Sequence, residues 1–270
     1  MMPVGGGQRA NVSADRRDGR RATVHDMPVT ISGVAGLPEI ETGTDLASAI
    51  MELAELADGD IVVVTSKVVS KAEGRTVELD SVTPSDFAEH WAVVWDKDPR
   101  VVEIVLREAK RVVRQIGPVL ITETHHGFVC ANSGVDQSSS GAPGRVVVLP
   151  LDPDGSARAL RTRFAELGVD VAIIVSDTFG RAWREGQTDV AIGIAGLAPL
   201  TSYIGQVDPH GHEFRVQELC IADELAGAAE LVKGNTTRVP VAVIRGVRWE
   251  PDDLASIQPV IRDPARDLFR

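Results

Sequence analysis

The sequence predicts an α+β fold, with mixed, largely antiparallel sheets and flanking helices. Short apolar runs rich in β-branched residues recur along the chain, as in Ile61-Val62-Val63-Val64, Val146-Val147-Val148-Leu149, Val171-Ala172-Ile173-Ile174-Val175 and Val241-Ala242-Val243-Ile244. Runs of this kind read as strands covered on both faces. Strands outnumber clean strand–helix–strand alternations, which argues against a doubly wound sheet. The 270 residues, 43% of them apolar, suffice for the core of one large domain or two small ones.

The elements follow from periodicity and punctuation. Residues 1–26 carry Gly5-Gly6-Gly7, Arg16-Arg17 and Arg20-Arg21 with almost no apolar content, and are predicted to be a disordered tail. The folded domain is placed at 27–250, with 251–270 as a C-terminal extension. Val29-Thr30-Ile31 reads as a first strand, followed by a turn at Gly36-Leu37-Pro38-Glu39-Ile40. Leu46, Ile50, Leu53 and Leu56 keep helical spacing across 45–56, and Asp58-Gly59-Asp60 closes that helix. After the strand at Ile61, the polar segment Ser66 to Arg75 leaves a strand end. Helices are expected between Thr83 and Gln115, where Val101, Val102, Val105, Ala109, Val112 and Val113 form one apolar face.

Val119-Leu120-Ile121 and Phe128-Val129-Cys130 read as strands around His125-His126-Gly127, a hairpin tip rather than a metal pair, because adjacent strand residues point to opposite faces. The Asp152-Pro153-Asp154-Gly155-Ser156 stretch introduces a helix ending near Gly168, with Asp154 or Ser156 as its N-cap. Glycines in Ala191 to Gly196 indicate close packing of elements. Glu213 to Glu218 alternates as a strand would, and Asp223 to Val232 is a helix with Gly234 at its C-terminal cap.

Composition excludes several classes. A net charge of -11 argues against a nucleic-acid surface and supplies no polybasic membrane patch. No apolar run approaches the roughly 20 residues of a membrane span, and the first residues lack a signal peptide's apolar segment. Cys130 and Cys220 have neither disulfide-framework nor zinc spacing, so both are read as small buried residues in a reducing cytoplasm.

The chemistry concentrates in Asp177-Thr178-Phe179-Gly180-Arg181-Ala182-Trp183-Arg184-Glu185-Gly186-Gln187-Thr188-Asp189, directly after the apolar run at 171–175. Asp177 falls where that strand is expected to open into a loop. Its hard carboxylate oxygens suit Mg²⁺ or Mn²⁺, and the Thr178 hydroxyl adds a ligand without adding charge. Arg181 and Arg184, three apart, share a face if the segment is helical, where guanidinium groups grip phosphate or carboxylate. The plainer alternative is an Asp that caps the next helix beside two solvated arginines. The density of polar groups beside a buried strand favours a site.

Five segments in order carry a resemblance: GLPEI (Gly36 to Ile40), DGDIVVVTSKVVSKAEGR (Asp58 to Arg75), NSGVDQSS (Asn132 to Ser139), SDTFGRAWREGQTDVAIG (Ser176 to Gly193) and ADELAGAAELVKG (Ala222 to Gly234). Together they closely resemble the coenzyme F420-0:L-glutamate ligase family, over about residues 29 to 250. The resemblance implies that family's fold, an intertwined homodimer, and a GTP-dependent ligase that joins L-glutamate to coenzyme F420-0, with further γ-linked glutamates as an extension. It implies two Mg²⁺ or Mn²⁺ ions, with K⁺ as a further cation. By motif, nucleotide contacts fall on Leu37, Pro38, Glu39, Ile40, Ser66, Lys71, Ser139, Lys233, Gly234 and Asn235, and metal ligands on Asp136, Asp177 and Thr178. Lys71, Asp136 and Asp177 are the implied catalytic groups, while Arg181 and Arg184 are assigned to substrate from charge alone. Ser139 stands where many relatives carry Asn, and Asn235 where some carry Glu. The rival readings are an amide ligase acting on another carboxylate and a non-catalytic nucleotide-binding protein; retention of Asp136, Asp177, Thr178 and Lys71 weighs against the second.

Overall fold

The structure is a computed structural model that describes residues 28–138 and 141–267. The expected tail at 1–26 and the nucleotide position Ser139 lie outside the described residues. In chain order the elements are β1 (Thr30–Val34), α1 (Leu46–Met51), β2 (Ile61–Thr65), α2 (Ser66–Ala72), β3 (Thr76–Glu78), α3 (Asp86–Trp95), α4 (Pro99–Arg107), β4 (Ala109–Ile116), β5 (Val119–Thr124) and β6 (Val129–Ala131). They continue as β7 (Arg145–Val147), α5 (Pro153–Glu166), β8 (Ala172–Arg181), β9 (Arg184–Leu197), β10 (Thr201–Ser202), β11 (Glu218–Leu219), α6 (Ile221–Lys233), β12 (Val241–Arg245) and β13 (Pro251–Asp252).

The expected α+β architecture is present. The main sheet runs β1-β12-β2-β8-β9-β13, and within it only β2 and β8 pair in parallel, Thr65 lying opposite Ser176. The two apolar runs that predicted these strands are its centre: Ile61 to Val64 and Ala172 to Val175 are all 0% exposed. Antiparallel neighbours flank them, β12 beside β2 and β9 beside β8. α5 packs on β8 and β9, and α6 on β9, β1 and β12. Gly193 in β9 allows the closest approach, since a Cβ there would lie 2.3 Å from the backbone of Pro153 at the start of α5.

A second layer is built from the segment between α2 and α5. β4, β5 and β6 form an antiparallel meander, and α3 and α4 close over it through Ala88, Trp91, Ala92, Val102, Val105 and Leu120. The β5–β6 connection turns at His125-His126-Gly127, as the adjacent histidines predicted. Two short pairs, β3 with β7 and β10 with β11, complete the sheets.

Four local expectations are corrected. The helical face projected through Val113 ends with α4 at Arg107, and Ala109, Val112 and Val113 belong to β4. The β-branched pair fits a strand better than another helical turn. Asp177 does not end its strand: β8 continues to Arg181 and returns as β9, so Arg181 and Arg184 are hairpin partners rather than neighbours on a helix. The helix at 153–166 is capped by Asp152, whose carboxylate accepts from the Gly155 amide at 2.9 Å. Asp154 is instead buried and accepts from the Ile194 and Ile257 amides and the Ser256 hydroxyl, tying the segment after β13 to the core. The alternation at Glu213 to Glu218 yields strand only at Glu218–Leu219; Val216, 88% exposed, has no apolar surface to pay back the ordering of a longer strand.

Candidate active site

Because β2 and β8 are parallel neighbours, the C-terminal end of β2 emerges beside Ser176 and Asp177 in the middle of β8. β2 passes directly into α2, whose first turn carries Ser66 and Lys67. Ser66 donates its hydroxyl to Asp177 Oδ1 on β8 at 3.0 Å. The next residue, Lys67, places its ammonium 3.0 Å from Asp136 Oδ2. Asp136 is held at the edge of β7 by reciprocal backbone bonds with Val147 of 2.9 and 2.8 Å, and its Oδ1 accepts both the amide and the hydroxyl of Ser138. One helical turn therefore reaches two carboxylates that are 41 positions apart in the sequence (177 minus 136).

The two acids have opposite electrostatics. Burial pushes the Asp177 carboxyl up to about 6, more than the Ser66 hydrogen bond and the Lys67 charge pull it down. Burial also pushes Asp136 upward, but the Ser138 and Lys67 hydrogen bonds outweigh it and hold the carboxyl below its ordinary value. Beside them Thr178 donates to Asp189 Oδ1 at 2.7 Å, in register across the β8–β9 hairpin. Asp189 Oδ2 accepts from Ser176 at 2.9 Å and from Lys233 of α6 at 2.6 Å. The Lys233 and Asp189 side chains are 1% and 2% exposed, so this is a fully desolvated ion pair beneath the site. Glu230, one turn before Lys233, is raised by burial and by the Asp189 charge.

These groups meet at a cavity of about 660 Å³. It is lined by Leu37, Pro38, Glu39 and Ile40 from the loop after β1, by Lys67 and Lys71 of α2, by Asp177, Thr178 and Asp189 of the hairpin, and by Gly234, Asn235 and Arg238 after α6. Lys71 is 2.5 Å from Glu39, which joins two predicted nucleotide-contact segments across the cavity mouth. Gly234 closes α6 with φ +60, and its amide bonds back to the Glu230 carbonyl. The glycine thus caps the helix and turns the chain along the cavity wall.

Of the sequence-predicted positions, Leu37 to Ile40, Lys71, Asp177, Thr178, Gly234 and Asn235 line this cavity. Ser66 and Asp136 stand behind its wall through Asp177 and Lys67. Lys233 does not face the cavity with its ammonium, which is spent on Asp189 and Ser176. Arg181 and Arg184 sit away from it, exposed beside the Ala182-Trp183 turn, where Arg181 donates to the Glu185 carbonyl at 3.0 Å.

Lys67, Asp189, Glu230 and Arg238 are cavity residues that the sequence reading did not single out. Lys67 adjoins Ser66, and Asp189 ends the acidic motif, so both were within segments already marked. Their roles depend on β8–β9 register and on the contact with α6, which no local pattern encodes.

The donor set suits a hard cation. Asp177, Thr178 and Asp136 offer oxygen only, and no cluster of three His, Cys, Asp or Glu side chains is preassembled among the described residues. Mg²⁺ is commonly held by one or two carboxylates, with phosphate oxygens and water completing the shell. The residues present fit that arrangement.

The sequence pattern of the F420-0:Gamma-glutamyl ligase family matches residues 35–246. The chain belongs to this family. The match spans all the segments that line the cavity. Among similar proteins, the coenzyme F420:L-glutamate ligase of Methanopyrus kandleri is 47% identical over 238 residues, covering 86% of this chain and 94% of that protein. The protein of the same name from Methanothermobacter thermautotrophicus is 41% identical over 252 residues, covering 90% of this chain and 100% of its own length. That of Archaeoglobus fulgidus is 39% identical over 246 residues, 90% of this chain and 97% of its own. Among the described residues no helix is long and apolar enough to cross a membrane. Burial pushes both cysteine thiols up to about 12, which disfavours their thiolate forms.

Proposed function

We propose that the chain joins L-glutamate to coenzyme F420-0 at the expense of GTP, as a step of coenzyme F420 biosynthesis. The observation that carries this reading is the convergence of five sequence-remote segments on one cavity, with Asp177, Asp189, Lys67 and Lys71 in its lining. Amide formation from a carboxylate needs its oxygen turned into a leaving group. Transfer of the GTP γ-phosphoryl group to the F420-0 carboxylate gives an acyl phosphate and GDP. Attack by the glutamate amine at the acyl carbon then expels phosphate.

Each part of the cavity has a task in that sequence. Leu37 to Ile40 and the Gly234-Asn235 turn form two walls for the nucleotide, and Lys71 supplies a fixed positive charge to its phosphates once released from Glu39. Asp136, Asp177 and Thr178 would hold Mg²⁺ or Mn²⁺, which offsets charge on the phosphoryl oxygens when bound. Asp189, locked by Lys233 and Ser176, fixes the Thr178 hydroxyl. No protein nucleophile is required, and rate enhancement rests on positioning and electrostatics.

The working unit is a cytoplasmic homodimer. The exposed apolar residues Trp95, Ile116 and Val119 support this assembly, since Trp95 lies against Gly117 in the turn that joins β4 to β5. Light scattering on the purified chain tests it, with a mass of one protomer as the contrary result.

Incubation with F420-0, L-glutamate, GTP and either Mg²⁺ or Mn²⁺, with products resolved by mass, tests the activity. Glutamylated F420 that vanishes in Asp177→Ala is expected. GTP turnover without glutamylation would move the assignment to another carboxylate acceptor, and neither activity would favour a binding protein.

A further inference from the structure

We infer that Lys67 is the resident counter-ion of the metal-ligand pair: its ammonium occupies Asp136 until a divalent cation takes that oxygen, and so positions the ligand. This rests on the metal reading of Asp136 and Asp177 given above.

Asp136 has few lone pairs left for a cation. Its Oδ1 is committed to the Ser138 amide at 2.8 Å and the Ser138 hydroxyl at 2.7 Å. Oδ2 is therefore the oxygen free to meet a cation, and Lys67 stands 3.0 Å from it. Lys67 also lines the cavity that Asp177 and Glu230 face, and its charge acts favourably on both of those carboxyls. With a third of its side chain exposed, it is not bound into the core as Lys233 is.

The contrast with Lys233 makes the distinction physical. The Lys233–Asp189 pair is closed by Ser176 and almost wholly buried, so it is a permanent support. Lys67 meets one carboxylate oxygen, from a flexible stem on the first turn of α2. Such an ammonium can leave for solvent or for a phosphate oxygen at little cost. While present, it offsets repulsion among carboxylates and keeps the Asp136 side chain in one orientation. The same charge must be displaced, so it lowers the intrinsic affinity of the empty site for a cation.

Removing the charge therefore moves two observables in opposite directions. Mn²⁺ affinity of the nucleotide-free protein, followed by electron paramagnetic resonance of free Mn²⁺, is expected to tighten at least threefold in Lys67→Gln. Lys67→Arg, which keeps the charge, is expected to stay within twofold of the unaltered protein. Turnover with saturating Mn²⁺ is expected to fall at least tenfold in Lys67→Gln and to recover in part in Lys67→Arg. An unchanged or weaker Mn²⁺ affinity in folded Lys67→Gln, judged by circular dichroism, would overturn the inference while leaving the metal reading intact. Absence of Mn²⁺ binding by the unaltered protein would overturn both.

Discussion

β2 and β8 lie side by side in parallel at the centre of the sheet, equally buried, and each runs into a polar segment at the same end. In sequence they look like one design used twice. In the structure they diverge at once: β2 turns into α2, which presents the donors Ser66, Lys67 and Lys71, while β8 continues as a hairpin that presents the acceptors Asp177 and, through β9, Asp189. The pairing teaches that the site is an interface between a donor strand end and an acceptor strand end. Its function depends on their register.

The strongest test of that register is the buried pair beneath it. Lys233→Met removes the ammonium from a buried ion pair and leaves Asp189 only the Ser176 and Thr178 hydroxyls, a change that costs about 3–5 kcal/mol. A loss of melting temperature on the order of 10 °C is expected by calorimetry. Should Lys233 instead serve the nucleotide, the substitution would raise the KM for GTP and leave the melting temperature in place.

Ser66→Ala cuts the direct link between the two strand ends, Ser66 to Asp177. The lost hydrogen bond to a carboxylate is worth about 1–3 kcal/mol. Because Ser66 is a group that lowers the Asp177 carboxyl, its removal shifts that titration further upward. Infrared titration of the carboxyl band in chelator, with Asp177→Asn as the blank, is expected to record this rise.

Asp177→Asn sharpens the comparison by separating activity from stability. In the metal-free protein the folded-state carboxyl titrates near 6 against an ordinary 3.8, so the folded state holds its proton more tightly than the unfolded one. The stability it contributes is therefore lost as pH rises through about 6. Asp177→Asn is inactive yet expected to be more stable than the unaltered protein at pH 8 in chelator, by on the order of 1 kcal/mol after allowing for solvent at the cavity. The advantage should shrink as pH falls below about 6 and vanish only toward 3.8. A melting-temperature series across pH in the two proteins checks the sign.

The smallest effect is expected at the hairpin tip. Arg181→Gln with Arg184→Gln alters exposed side chains away from the cavity, so stability should change by no more than about 0.5 kcal/mol. The KM for GTP should stay within twofold, and isotopic GTP binding measures it.

The central strands were legible because continuous Val and Ile runs have few alternatives to a sheet covered on both faces. α6 and its glycine cap were legible for a similar reason, a periodic face that meets a residue free to take φ +60 at Gly234. The hairpin at 172–197 was not. Polar residues at Asp177, Thr178 and Asp189 look like a loop until the β8–β9 ladder supplies their hydrogen bonds. β4 was concealed by valines whose spacing mimics a helix past Arg107.

The candidate site divides in the same way. Asp177 and Thr178 were found through residue chemistry, and Lys71 through the family resemblance. Lys67 gained its meaning only from Asp136, 69 positions away (136 minus 67), and Asp189 from Lys233, 44 positions away. Such pairings are fixed by tertiary packing, and a single sequence carries no local trace of them. Lys233 is the counterpart: a motif position whose ammonium is held by Asp189 and Ser176 beneath the site.

The most direct test of a shared site is a Mn²⁺ titration of the nucleotide-free protein alongside Asp136→Asn, Asp177→Asn and the double variant. If Asp136 and Asp177 build one cation site, each single substitution weakens binding at least tenfold, and the double variant is little worse than the weaker single. Unchanged Mn²⁺ affinity in either folded single variant would contradict the account.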